Sequence, residues 1–86
     1  TRRLSMKFKE YYNKKYFIRE LDIALQADQE NNMLDMITYS YDDVTNDEII
    51  TVIFADGNYK SILATGNSNG QNAKEIIGVI YGNHSI

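Results

Sequence analysis

The chain predicts an α+β domain in the order helix, three-stranded antiparallel meander, helix (αβββα), and three features predict it. Apolar and aromatic residues recur at three- and four-residue spacings between Phe8 and Leu25, and again between Ala73 and Tyr81. Between those stretches lie runs rich in β-branched and aromatic residues, "MLDMITYSY", "EIITVIFA" and "YKSILAT". The last two flank Asp56-Gly57, a pair suited to a tight hairpin turn.

The first helix is expected from about Met6 to Asp28, capped by Ser5, with Phe8, Tyr11, Tyr12, Ile18, Leu21, Ala24 and Leu25 on its buried stripe. At 1.5 Å per residue it runs about 34 Å, long for so small a domain, so a break near Asn13 belongs to the expectation. A rival parse makes "YFIRELDIAL" a strand with Phe17, Leu21, Ile23 and Leu25 on one side; the helix propensity of "RELDIALQADQE" favours the helix. "DQENN" reads as a turn, Met33 to Tyr41 as the first strand, and "DDVTND" as the next turn.

A two-residue type I′ hairpin at Asp56-Gly57 sets Phe54 opposite Tyr59, Val52 opposite Ser61 and Ile50 opposite Leu63. That register gathers Ile50, Val52, Phe54, Tyr59 and Leu63 on one side, and leaves Ile49, Thr51, Ile53, Ile62 and Ala64 on the other. Neither side is polar, so both faces are expected to be covered, by a helix on each or by a partner chain. The Gly/Asn-rich loop after Thr65 then leads to a helix on which Ala73, Ile76, Ile77, Ile80 and Tyr81 share a face. Ser68 or Asn69 is its expected N-cap and Gly82 its stop.

Eighty-six residues without a repeat, a low-complexity run or a dividing linker make one domain, with residues 1–5 read as an addition ahead of a natural start at Met6. Cysteine is absent, which excludes disulfides, thiolate zinc sites and cysteine nucleophiles and makes the cytoplasm the default compartment. No apolar run approaches the length of a membrane span, and "TRRLSMKFKEYY" has no apolar core of the secretory kind behind its charges. Absent proline and plentiful Asn, Ile, Lys and Tyr fit AT-rich coding, hence a low-GC bacterium or its phages and mobile elements.

The net charge of -3 hides a polarity. Residues 1–20 hold Arg2, Arg3, Lys7, Lys9, Lys14, Lys15 and Arg19 against Glu10 and Glu20, a local +5. From Asp22 to Asp56 there are carboxylates and neither lysine nor arginine. One reading has the two poles neutralising each other. Two sharper readings use a pole each: the acidic loops face a basic protein surface, or the basic-aromatic helix faces phosphates.

Catalysis finds no support. The sole histidine, His84, lies three residues from the C-terminus, so triads lack a base, and the acid pairs Asp42-Asp43 and Asp47-Glu48 sit in a turn where solvation is their usual role. Asp43, Thr45 and Asp47 begin like a calcium loop, yet Glu48 stands where the sharp turn requires glycine. "GNSNGQNAK" delays Lys74 by four residues after Gly70, so it is no P-loop, and a hairpin strand before it excludes the dinucleotide fingerprint. No cofactor or metal is expected.

The order helix, three strands, helix is also that of the double-stranded RNA-binding domain, and "TGNSNGQNAKEII" resembles that family's Gly-rich approach to its last helix. The lysine pair that grips phosphates there is Gln71 and Asn72 here, which sets the family aside. The run "EIITVIFADGNYKSILATGNSNGQNAKEIIGVIYG" resembles the strand, hairpin, strand, loop and helix of small acidic phage-borne anti-CRISPR proteins, which bind a nuclease where DNA would sit. The resemblance implies inhibition by carboxylates in phosphate positions, here Asp42, Asp43, Asp47, Glu48 and Asp56.

The expectation is therefore a non-enzymatic protein-binding module, of phage or mobile-element type, inhibiting or regulating its partner. Its contact surface is either the acidic set Asp42, Asp43, Asp47, Glu48 and Asp56, or an apolar sheet face with Thr51, Ile53 and Ile62 that closes a homodimer. The alternative is a nucleic-acid-binding protein using Lys7, Lys9, Lys14, Lys15 and Arg19 on the first helix. No membrane partner is expected.

Overall fold

The computed structural model describes the backbone of residues 2–82 and the side chains of residues 9–28 and 30–82. His84 lies outside the described residues. The order is α1 (Arg2–Gln26), α2 (Gln29–Asn32), β1 (Leu34–Asp42), β2 (Asp47–Phe54), β3 (Tyr59–Leu63) and α3 (Asn69–Tyr81). The strands form one antiparallel sheet in the order β1-β2-β3, so the αβββα expectation holds, with the short helix α2 added where a plain turn was expected. Among the described residues no helix is long and apolar enough to cross a membrane.

Helix α1 is continuous over 25 residues, passing Asn13 without a break, and Ser5 lies inside it rather than capping it. "YFIRELDIAL" is helix, not strand. Ile18 is buried in the core, and Tyr11, Phe17, Leu21 and Leu25 pack against that core partly buried. Tyr12 and Ala24, expected on that stripe, are turned outward and exposed. Apolar residues lie on both sides of this helix, and the side holding Ile18 is the one the sheet accepts.

The core joins Ile18 of α1 and Ile76 and Ile80 of α3 to Leu34, Ile37, Tyr39, Ile50, Val52, Ile62 and Ala64. Both helices thus pack on one face of the sheet, and the expectation of a helix on each face is overturned. On α3, Asn72 is buried with Ile76 and Ile80, whereas Ile77 is turned out.

The hairpin register differs from the expected one by a single residue. Ile53 pairs with Tyr59, Val52 with Lys60, Thr51 with Ser61, Ile50 with Ile62 and Ile49 with Leu63. The loop is Ala55-Asp56-Gly57: the Gly57 N–H donates to the Phe54 carbonyl (2.9 Å) and the Phe54 N–H to the Asn58 carbonyl (2.8 Å). Gly57 has φ +91° and Asp56 does not share that region, so this is a type I turn closed by a left-handed glycine rather than a type I′ turn. The Asp56 carboxylate holds it by accepting from the Asn58 backbone N–H (2.9 Å). A one-residue slip flips every side chain of β3. Ile62 and Ala64 therefore enter the core beside Ile50 and Val52, while Tyr59 and Leu63 join Ile49, Thr51 and Ile53 on the other face.

Polar clamps hold both ends of α3. At its start, Ser68 and Gln71 form a capping box: Ser68 Oγ accepts from the Gln71 N–H (3.2 Å), and Gln71 Oε1 accepts from the Ser68 N–H (2.8 Å). At its end, the Tyr81 hydroxyl donates to Asp28 Oδ2 (2.7 Å) and accepts from Asn32 Nδ2 (3.0 Å). Asn32 is itself buried, with Nδ2 also donating to the Leu25 carbonyl (2.9 Å) and Oδ1 accepting from the Leu34 N–H (2.9 Å). The expected stop, Gly82, is the C-cap, in right-handed rather than left-handed conformation.

Candidate functional site

The two charge poles meet at one residue. Glu48 points inward from β2 with Ile50 and Val52, and its side chain is 11% exposed. Lys14 comes from the buried side of α1, and its ammonium donates to Glu48 Oε1 at 2.7 Å. The Tyr39 hydroxyl donates to the same oxygen (2.8 Å), and the Gly66 N–H donates to Oε2 (3.0 Å). The Glu48 backbone is engaged as well, its N–H donating to Thr65 Oγ1 (2.9 Å) and its carbonyl accepting from Ala64 (2.7 Å). Burial works to raise the Glu48 pKa, but Lys14, Gly66 and Tyr39 outweigh it and hold the carboxyl below its usual range. Tyr39 is shifted the opposite way, upward, by burial and by its bond to the carboxylate.

Glu48 and Lys14 are thereby withdrawn from the two surfaces to which the sequence assigned them. A signal for this existed: Lys14 falls three residues after Tyr11 and four before Ile18, on the buried stripe, and Glu48 shares the inward parity of Ile50 and Val52. A lysine and a glutamate at inward positions call for each other, since either alone would be a buried unpaired charge. Around the pair lies a pocket of about 310 Å³ lined by Glu10, Tyr11, Lys14, Tyr39, Tyr41, Asn46 and Glu48. Within it Lys14 and Tyr39 bond to Glu48, and the Tyr41 hydroxyl donates to Asn46 Oδ1 (2.7 Å).

The other expected acids do not form one patch. Asp42, Asp43 and Asp47 stand at the β1-β2 connection, where the Asp42 carboxylate accepts from the Val44 N–H (2.9 Å). Asp56 is at the opposite end of β2, about 27 Å away at 3.4 Å per residue, bound to Asn58. Among the described residues no group of His, Cys, Asp and Glu is placed to hold a metal.

Of the expected basic set, Lys9, Lys15 and Arg19 are exposed, and the side chain of Lys7 lies outside the described residues. Lys9, Tyr12, Tyr16, Arg19 and Ile23 follow alternating three- and four-residue steps along the outward side of α1, with Tyr12 61% and Tyr16 65% exposed. Lys15 sits 5.4 Å from the Tyr11 ring centroid.

A further surface is the open face of the sheet. Three cross-strand rows lie on it: Met36-Ile53-Tyr59, Thr38-Thr51-Ser61 and Ser40-Ile49-Leu63. The rows carry no charge, and a fourth, Asp42-Asp47-Thr65, ends the face in carboxylates. Met36, Ile49, Tyr59 and Leu63 are all exposed. Of the face expected from Thr51, Ile53 and Ile62, the first two are here, but Ile62 is on the opposite side, in the core, because of the hairpin register. Sequence reasoning missed Tyr59 and Leu63 for the same reason, and Met36 because its place on β1 follows from the β1-β2 pairing, with its irregularity between Leu34 and Met36.

Comparison with protein-family models, with curated proteins and with solved structures finds no match for this chain.

Proposed function

We propose that the chain is a non-enzymatic protein-binding module working through the open face of its sheet. The observation that carries this reading is the set of three uncharged rows, Met36-Ile53-Tyr59, Thr38-Thr51-Ser61 and Ser40-Ile49-Leu63, which no helix covers among the described residues. Solvent-facing strands ordinarily alternate toward polar and charged residues, whereas five of these nine positions, Met36, Ile49, Ile53, Tyr59 and Leu63, are apolar and none is charged, a composition that suits a contact surface. The carboxylates support charge mimicry of a nucleic acid less well, since Glu48 is paired and Asp56 is remote from Asp42, Asp43 and Asp47. Capture of partners from a lysate is expected to fall at least tenfold in Leu63→Lys and to stay unchanged in Val44→Lys, a site 86% exposed in the β1-β2 turn. Equal capture by both variants refutes the reading.

A second reading, nucleic-acid binding, is favoured by the exposure of Tyr12 and Tyr16 between Lys9, Lys15 and Arg19. Aromatic side chains interleaved with cations suit base stacking beside phosphate contact. With three phosphate contacts, log K for a labelled oligothymidylate falls with log salt at a slope of about -2. No salt-dependent binding at low ionic strength refutes it.

A further inference from the structure

We infer that the occupant of the open sheet face is a second copy of this chain, packed sheet to sheet on a two-fold axis that runs across the strands through the Thr38-Thr51-Ser61 row. This rests on the protein-binding reading and names its partner. The chain alone has two layers, helices and sheet, with an apolar outer face. Placing two such faces together gives four layers, helix-sheet-sheet-helix, with aligned sheets about 10 Å apart and turned by about 30°.

The chemistry of the rows is self-complementary. In an isologous interface the residues near the axis meet their own copies, which a charged side chain does not tolerate. Here the central row is Thr38, Thr51 and Ser61, and each hydroxyl can both donate and accept toward an identical one. The acidic end fixes the direction of the axis. An axis along the strands would set the Asp42-Asp47 end of one chain against the same end of the other. An axis across the strands sends these ends to opposite extremes of the dimer, each beside the other copy's Asp56 turn, whose one carboxylate already accepts from Asn58. That choice lays the Met36-Ile53-Tyr59 row on the Ser40-Ile49-Leu63 row of the second copy, so Ile53 meets Ile49 twice.

The area sets the strength. Exposures of 43% for Met36, 38% for Ile49, 70% for Tyr59 and 68% for Leu63 leave on the order of 500 Å² on these four side chains, against about 800 Å² per partner in a standard interface. The dimer is therefore dissociable, with a dissociation constant in the micromolar range or above.

Sedimentation velocity from about 1 μM to about 1 mM is expected to show the mass doubling with concentration. Leu63→Lys, on an exposed site that does not threaten folding, and Ile53→Lys are each expected to raise the dissociation constant at least tenfold, whereas Val44→Lys leaves it unchanged. Ile53→Lys mixed with Ile49→Glu is expected to recover a heterodimer. Recovery by Ile53→Lys with Ile53→Glu instead would overturn the axis. A strict monomer across the range, or a dimer indifferent to Leu63→Lys, overturns the inference. If the wild type is a strict monomer while Leu63→Lys still abolishes capture from lysate, self-association is refuted and the protein-binding reading stands; if capture is also indifferent, both fall.

Discussion

Removing the Glu48 carboxylate should cost far more than losing a surface ion pair. Glu48→Ala takes away the acceptor for Lys14, Tyr39 and Gly66 at once and leaves an ammonium that is 17% exposed without its counter-charge. Breaking one side of a buried pair costs about 3–5 kcal/mol, and the slight exposure of both partners places this case near the lower end, about 3 kcal/mol. With a urea slope of about 1 kcal/mol/M for a small domain, the unfolding midpoint falls by about 3 M, read by far-ultraviolet circular dichroism. The double change Lys14→Met with Glu48→Leu removes both charges but strands the Tyr39 hydroxyl and the Gly66 N–H, each worth about 1–3 kcal/mol when left unpaired. It should therefore recover only part of the loss. A loss below about 1 kcal/mol for Glu48→Ala, the range of solvated pairs, would refute the view that this pair is buried and organising.

Stability should also depend on pH at both extremes. Because the folded pKa of Glu48 is depressed, its contribution is fully present above the ordinary value of 4.5 and is lost as pH falls through the folded value; thermal melts across pH 2–7 test this, and a flat profile below 4.5 contradicts it. Tyr39 is raised from 10.0, so its contribution is present below pH 10 and is lost as pH rises beyond; Tyr39→Phe should flatten the alkaline limb. Asn72 is fully buried, and among the described residues neither its Nδ2 nor its Oδ1 finds a hydrogen-bond partner, so Asn72→Leu is expected to stabilise by about 1–2 kcal/mol in urea titration. Destabilisation would mean the amide is satisfied. Ser68→Ala should cost about 1 kcal/mol by removing one half of the capping box, and an unchanged midpoint would show that packing alone holds α3.

What the sequence disclosed follows from how local each signal is. The Ser68 to Gln71 spacing and the Asp56-Gly57 pair act over two to four residues, so the α3 cap and the existence of the hairpin were legible. The register was not. Type I′ and type I-plus-glycine turns both place Gly57 in left-handed space, and the choice lies with Asp56, whose carboxylate caps Asn58. Alternation along β3 did not decide either, because Tyr59 and Leu63 on one parity balance Ile62 and Ala64 on the other. For α1, Tyr12, Tyr16 and Ile23 compete with Tyr11, Ile18 and Leu25, and only the sheet's inward Glu48, 34 positions from Lys14, settles which side is buried. The acidic set failed as one surface because it was grouped by sequence proximity, whereas the parity Glu48 shares with Ile50 and Val52 turns it inward and Asp47 outward.

The clamp at the end of α3 also bears on the order in which the chain assembles. Tyr81 and Asp28 lie 53 positions apart, and the bond between them closes one of the longest loops in the fold. Closing so long a loop costs entropy before it returns energy, so adjacent elements such as the β1-β2 pair are expected to form first and this bond after the rate-limiting step. Contacts made that late slow unfolding without speeding folding. On that order the hydroxyl of Tyr81 is a latch on the native lifetime, and Tyr81→Phe is expected to raise the unfolding rate in stopped-flow while leaving the folding rate unchanged.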